Sequence, residues 1–203
     1  MSDESGLATV LLAMFAGAIR VSTPFLFVSL GETLTEKSGR INLGLEGTLV
    51  FGAMSGYAIS YHTGSPWLGV LVAGFGGILF GALHGHLCKL PRVNDIAIGI
   101  ALMLFGTGIA FFFGKAYIQP QAPRLPSISF GSWSANPSIR QALEINPLFL
   151  IGLFLAIFLW WALKNTRWGL IVRTTGDSAP AALALGIDVN QVRLLSTMAG
   201  GFF

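Results

Sequence analysis

The chain has 203 residues, of which 53% are hydrophobic and only 10% charged, with a formal net charge of +3 and a mean hydropathy of +0.71. A soluble domain carries about a quarter charged residues, so a water-soluble globular fold is excluded. The basic residues stand at the ends of apolar segments, which removes the patch a nucleic acid would need, and the lone Cys88 excludes an internal disulfide.

Apolar runs cover residues 7–30, 41–61, 67–87, 96–114 and 147–163, and a sixth opens near Val192. Each of the five approaches or exceeds the ~20 residues that cross a bilayer. Backbone polar groups in lipid must be satisfied within the segment, so these runs predict helices. The expected fold is all-α: a polytopic membrane bundle of five spans plus the start of a sixth, one transmembrane domain over 1–203. The last run stops at Phe203, short of a crossing, so the sequence reads as the N-terminal part of a longer chain. Asp3 and Glu4 occupy the place where a secretory signal carries positive charge.

The first span carries Arg20 near its centre, at roughly +2.5 to +3.5 kcal/mol on an insertion scale. About a dozen Leu, Phe, Val and Ile contribute on the order of −5 kcal/mol, so the span still inserts. Pro24 lacks an amide proton and leaves the Arg20 carbonyl without its helical partner, which predicts a kink. Either Arg20 snorkels or pairs with a carboxylate, or it faces a polar path. Residues 31–47 then place three carboxylates, two cations and four glycines between two spans, with Glu46 inside the following apolar run. Discontinuous helices in transporters have this composition, and so do plain glycine-rich turns.

Further on, Gly52 and Gly56 recur at four-residue spacing, as do Gly77, Gly81 and Gly85, which predicts close helix packing. His84 and Cys88 are one turn apart but offer two ligands only, and His86 points to another face, so no metal site is expected. Gly106-Thr107-Gly108 lies inside an apolar span and reads as packing. No Gly-x-x-x-x-Gly-Lys-Ser/Thr run is present, so the sequence offers no P-loop for ATP.

Lysines and arginines fall in alternate connections: Lys37 and Arg40, Lys89 and Arg92, then Lys164, Arg167 and Arg173. Positive-inside placement makes residues 164–191 a cytosolic loop and 115–146 an extracytoplasmic one. Within the former, Thr175-Gly176-Asp177-Ser178 supplies caps, Pro180 suits a first turn, and Gly186 suits a C-terminal cap. A stub helix over residues 179–185 follows, with an Ala/Leu face. It is too short to be stable alone in water. It is either an ordinary capped loop or a surface on which something docks.

Two of these segments carry a resemblance. Gly31-Glu32 followed by Glu36-Lys37-Ser38-Gly39-Arg40-Ile41-Asn42-Leu43-Gly44-Leu45-Glu46-Gly47 resembles a signature of simple-sugar and nucleoside permeases of bacterial ABC importers, relatives of the ribose and branched-chain amino acid permeases. Thr166-Arg167-Trp168-Gly169-Leu170, Arg173, Gly176-Asp177, Ala181-Ala182, Leu185-Gly186-Ile187 and Arg193 resemble that family's cytosolic segment. Val93-Asn94-Asp95-Ile96 resembles the opening of a middle span.

The resemblance implies a multi-pass subunit of the bacterial inner membrane, with lipid around it. That subunit would pair with a second permease (the same or a different chain), cytosolic ABC ATPases and an extracytoplasmic substrate-binding lipoprotein. It implies no catalysis and no cofactor in this chain. Gly176, Asp177, Ala179, Ala181, Ala182, Leu185 and Gly186 would form the coupling segment that docks on the ATPase. Arg20, Glu32, Asn42, Glu46 and Asn94 would lie in the core near the translocation path. Two other classes stay open: an ion-coupled secondary carrier using Arg20, Glu32 and Glu46 as its relay, and a membrane-embedded enzyme, for which no nucleophile–base set stands out.

Overall fold

The computed structural model describes residues 2–134, 139–140 and 143–203, with side chains left out of account at 2–6, 8 and 9. Within them the helices, in chain order, are α1 Ser2–Lys37, α2 Leu45–Thr63, α3 Pro66–Leu87, α4 Asp95–Gly114, α5 Pro147–Asn165, α6 Arg167–Asp177, α7 Ala179–Ala184 and α8 Val189–Phe202. A short 3-10 turn, Lys115–Tyr117, extends α4. The expectation of an all-α chain needs one amendment. In the long connection, β1 Ile128–Ser129 pairs antiparallel with β2 Glu144–Ile145, Ile128 opposite Ile145. Residues 135–138 and 141–142 of the expected 115–146 loop lie outside the described residues.

Four segments are long and apolar enough to cross a membrane: Val10–Lys37, Pro66–Leu87, Asp95–Tyr117 and Pro147–Asn165. The expected span at 41–61 differs. Its helix starts only at Leu45, and Ser55, Tyr57, Ser60, Tyr61, His62 and Thr63 make its second half polar. The chain is thus a helical, membrane-embedded protein, and four crossings are supported by length and apolarity alone. α1 runs unbroken as α-helix through Pro24. Thr23 Oγ1 donates to the Ile19 carbonyl at 2.9 Å and Ser22 Oγ to the same oxygen at 3.1 Å.

The chain divides into two compact units, residues 1–27 with 125–156, and residues 28–124 with 157–203. The first holds the N-terminal part of α1, the β1–β2 ribbon and the start of α5. Gly152 lets the helices close up there, since a Cβ would stand 2.8 Å from Leu26 Cδ2 and 3.2 Å from Phe27 Cε2.

The second unit holds most of the packing, and α3 is its centre. Gly69 of α3 faces the Gly56 carbonyl of α2, while Gly77 faces the Gly201 carbonyl and Gly81 the Thr197 carbonyl of α8. Gly85 continues the seam, 2.7 Å from Leu194 Cδ1 for an added Cβ. α4 joins through Gly106, 2.7 Å from the Gly47 carbonyl by the same construction. Of the glycine spacing legible in the sequence, Gly56, Gly77 and Gly81 therefore lie in backbone-to-backbone seams, the way helices associate where lipid provides no hydrophobic drive, while Gly85 meets Leu194 and Gly52 only touches Ala73.

Candidate coupling and translocation elements

The polar block after the first span begins on the helix itself. Residues 31–37 are the last turns of α1, and the break spans 38–44. α1 ends in a Schellman motif: Gly39 has φ +82°, its N–H donates to the Glu36 carbonyl at 2.8 Å, and the Arg40 N–H donates to the Thr35 carbonyl at 3.3 Å. A left-handed residue is required there, which is why glycine follows Ser38. Asn42 then staples the break. Its backbone N–H donates to Glu32 Oε1 at 3.1 Å, and its buried Oδ1 accepts from the Gly44 N–H at 2.9 Å. Glu32 and Asn42, both expected near the path, are thus brought together, with one Glu32 oxygen left unpartnered.

Arg40 points from this break to the start of α4 and pairs with Asp95 at 2.6 Å, both side chains largely buried. Arg193 of α8 reaches the same break, Nε donating to the Ser38 carbonyl at 3.1 Å. Asp95 also stands beside Cys88, at the cap of α3. Burial, with the negative charge of Asp95 and a hydrogen bond to it, pushes the Cys88 thiol up to about 12. His84, one turn earlier, is fully buried among these groups. None of these convergences is visible as a local pattern, because residues 40, 84, 95 and 193 are far apart in sequence.

The segment expected on the cytosolic side is built from α6 and α7 and leads into α8. Thr166 caps α6, its Oγ1 accepting from the Gly169 N–H at 3.0 Å, and Gly169 lies on the backbone of Ala162 and Leu163. Sequence reading missed α6 as a helix. Its buried positions Val172 and Thr175 are separated by one turn within a stretch otherwise rich in Arg, Thr and Gly. Ser178 ends α6 and caps α7, as expected from the sequence, accepting from the Ala181 N–H at 3.4 Å.

α7 closes in a second Schellman motif. Gly186 has φ +77°, its N–H donates to the Leu183 carbonyl at 2.9 Å, and Ile187 N–H donates to the Ala182 carbonyl at 3.0 Å. Gly176 rests on the Lys37 carbonyl, with the Gly39 nitrogen 3.1 Å from where its Cβ would be. The two sequence motifs therefore meet, backbone against backbone.

Of the expected coupling residues, Ala182 is fully buried within the chain (0% exposed), whereas Ala181, Asp177 and Gly186 are exposed and Ala179 partly so. The outward apolar side chains of the stub are Leu183, 61% exposed, and Leu185, 72% exposed. Leu183 was not singled out by the sequence.

The remaining expected path residues lie at the surface of their own units. Arg20 and Glu46 are exposed, and Asn94 is an exposed N-cap of α4, its Oδ1 accepting from Ile96 N–H at 2.8 Å. At the other end of the unit, Tyr57 Oη donates to the Pro120 carbonyl at 2.5 Å and His62 meets Tyr117 Oη at 3.0 Å, tying the start of the long loop to α2.

Residues 14–203 match the family described as branched-chain amino acid transport system, permease component. Relatives include a candidate glucose ABC transporter permease protein of Haloferax volcanii, 30% identical over 190 residues, which are 91% of this chain and 58% of that protein. A nucleoside ABC transporter permease protein of Lactococcus lactis is 29% identical over 213 residues (96% of this chain, 67% of the relative). A guanosine ABC transporter permease protein of Bacillus subtilis is 25% identical over 212 residues (97% and 66%). The chain thus spans between 58% and 67% of the length of these relatives. No solved structure matches it significantly.

Proposed function

We propose, since the chain belongs to the permease-component family of branched-chain amino acid transport systems, that it forms part of the membrane pathway of an ATP-binding-cassette importer for a small polar solute. The observation that carries this reading is the family match over residues 14–203. It is joined by relatives whose names specify ABC permeases for glucose, nucleosides and guanosine. A sugar or a nucleoside is the solute class those names favour. In this reading energy comes from a separate cytosolic ATPase, a second permease completes the pathway, and an extracytoplasmic lipoprotein delivers the solute. The protein sits in the bacterial inner membrane, with α2 as a further crossing and residues 164–191 on the cytosolic side.

The geometry supports a way for the stub to work. α7 is a six-residue helix capped at both ends that buries Ala182 and turns Leu183 and Leu185 outward. Gly176 leans on the end of α1, and the break after α1 is pinned by Arg40, Asn42 and Arg193. A push on α7 would reach Glu32 and Asn42 through main-chain contacts rather than through flexible side chains.

The carrier alternative is not favoured by the family match, and its relay residues Arg20 and Glu46 are exposed. The test is Leu185→Glu in the assembled transporter. The side chain is exposed, so the fold is expected to persist while ATPase co-purification and uptake fall together. Normal ATPase retention with normal uptake would remove the docking role.

A further inference from the structure

We propose that His84, Cys88 and Asp95 form a binding site for a divalent, borderline-soft cation such as zinc, clipping the end of α3 to the start of α4. One ligand atom from each residue lies within 4.8 Å of the other two. His84 is fully buried, and neither ring nitrogen has a hydrogen-bond partner. The Ile41 backbone is a polar neighbour outside hydrogen-bonding geometry. A buried imidazole left in that state normally costs free energy, and a cation would use its lone pair.

His84 and Cys88 are four residues apart on α3 and therefore share a face, and Cys88 is buried as well. Asp95 presents a carboxylate whose Oδ1 is already held by Arg40 at 2.6 Å. Ligating carboxylates are commonly oriented by such an outer hydrogen bond, and Oδ2 remains for the cation.

The donor set is one nitrogen, one sulfur and one oxygen, which suits tetrahedral zinc with a fourth position for water or another group. Bonds of about 2.0–2.3 Å place ligand atoms roughly 3.3–3.7 Å apart, so the three side chains need to close by about 1 Å. The positive charges of Arg40 and Arg193 oppose a bare cation. A thiolate and a carboxylate together neutralise a divalent ion, and because the metal-free thiol is protonated, binding releases one proton and raises the local charge by one. The clip would fix the 88–94 turn, where Arg92 holds a left-handed φ of 66°, and with it the Asp95 that anchors Arg40.

The test uses the whole chain in detergent or nanodiscs, stripped of metal and titrated with cobalt(II) as a spectroscopic probe, then with zinc(II). One equivalent of cobalt is expected to give a thiolate-to-cobalt charge-transfer band in the near ultraviolet, which zinc abolishes. Cys88→Ser should remove the band, and His84→Gln should weaken zinc binding at least tenfold. A readout that needs no variant is protection: zinc should slow alkylation of wild-type Cys88. Absence of the band and of protection overturns the site. Zinc binding of unchanged affinity in both variants identifies an adventitious surface ion and overturns it equally.

Discussion

Gly77→Ala tests the seam on which the second unit is built. An added Cβ would overlap the Gly201 carbonyl and stand 2.8 Å from Gly201 C and 3.5 Å from Thr48 Cγ2. The obstructing atoms are backbone, so relief requires α3 and α8 to separate. Gly81 and Gly85 lie on the same face and lose contact as they do. Overpacking of this kind costs about 1–3 kcal/mol, and alanine recovers up to about 1 kcal/mol of helix propensity. The net is a destabilisation of up to about 2 kcal/mol.

Gly108→Ala is the matched control, since nothing lies within 4 Å of its Cβ position on α4. There the propensity gain stands alone, about 1 kcal/mol in the stabilising direction. The two variants should therefore differ by about 1–3 kcal/mol, with Gly108→Ala the more stable, or on the order of 2–12 °C in melting temperature for a chain of this size. Thermal unfolding of the purified proteins in one detergent reads the difference. Equal stability of the two variants would mean that α3 and α8 do not meet at glycine.

Asp95→Asn leaves Arg40 buried without its counter-charge, and breaking such a pair costs up to about 3–5 kcal/mol. In Arg40→Gln/Asp95→Asn the coupling should be recovered in part, which a double-mutant cycle measures. In the metal-free protein, maleimide labelling of Cys88 is expected to be slow at neutral pH and to rise about tenfold per pH unit through pH 9. An ordinary thiol would level off above about 8.5. The sign follows from the raised thiol pKa, since the reactive thiolate stays scarce until pH nears 12. Cysteines placed at exposed Ser127 and Ser178 of a Cys88→Ala chain should label from opposite faces of the membrane, and labelling of both from outside would overturn the proposed orientation. Leu183→Glu with Leu185→Glu should leave melting unchanged but lower ATPase retention, whereas Ala182→Glu should unfold the stub itself because that side chain is buried.

What could be read from the sequence was local. The caps of α7 were legible because Ser178, Pro180 and Gly186 act within a few residues of themselves. The glycine seams were legible because their period matches the helix. α6 was not, because Arg167, Thr174 and Gly176 mask the buried pair Val172 and Thr175, and Gly169 is there for a close approach to Leu163. The outward face of the stub was misassigned in part. Helical spacing says which residues share a side, and only packing against the rest of the chain decides that Ala182 is the one turned inward. Of the convergence of Arg40, His84, Cys88, Asp95 and Arg193, only the one-turn spacing of His84 and Cys88 shows in the sequence, since the rest is made by helix termini brought together by the fold.

The most direct measurement is uptake. Reconstituted in proteoliposomes with the second permease, ATPase and binding lipoprotein that the proposed function calls for, the assembly is expected to accumulate a labelled sugar or nucleoside. Uptake should be strictly dependent on ATP at the ATPase side and indifferent to collapse of proton and sodium gradients. Uptake that continues without ATP and stops when those gradients are dissipated would contradict the importer reading and restore the ion-coupled carrier.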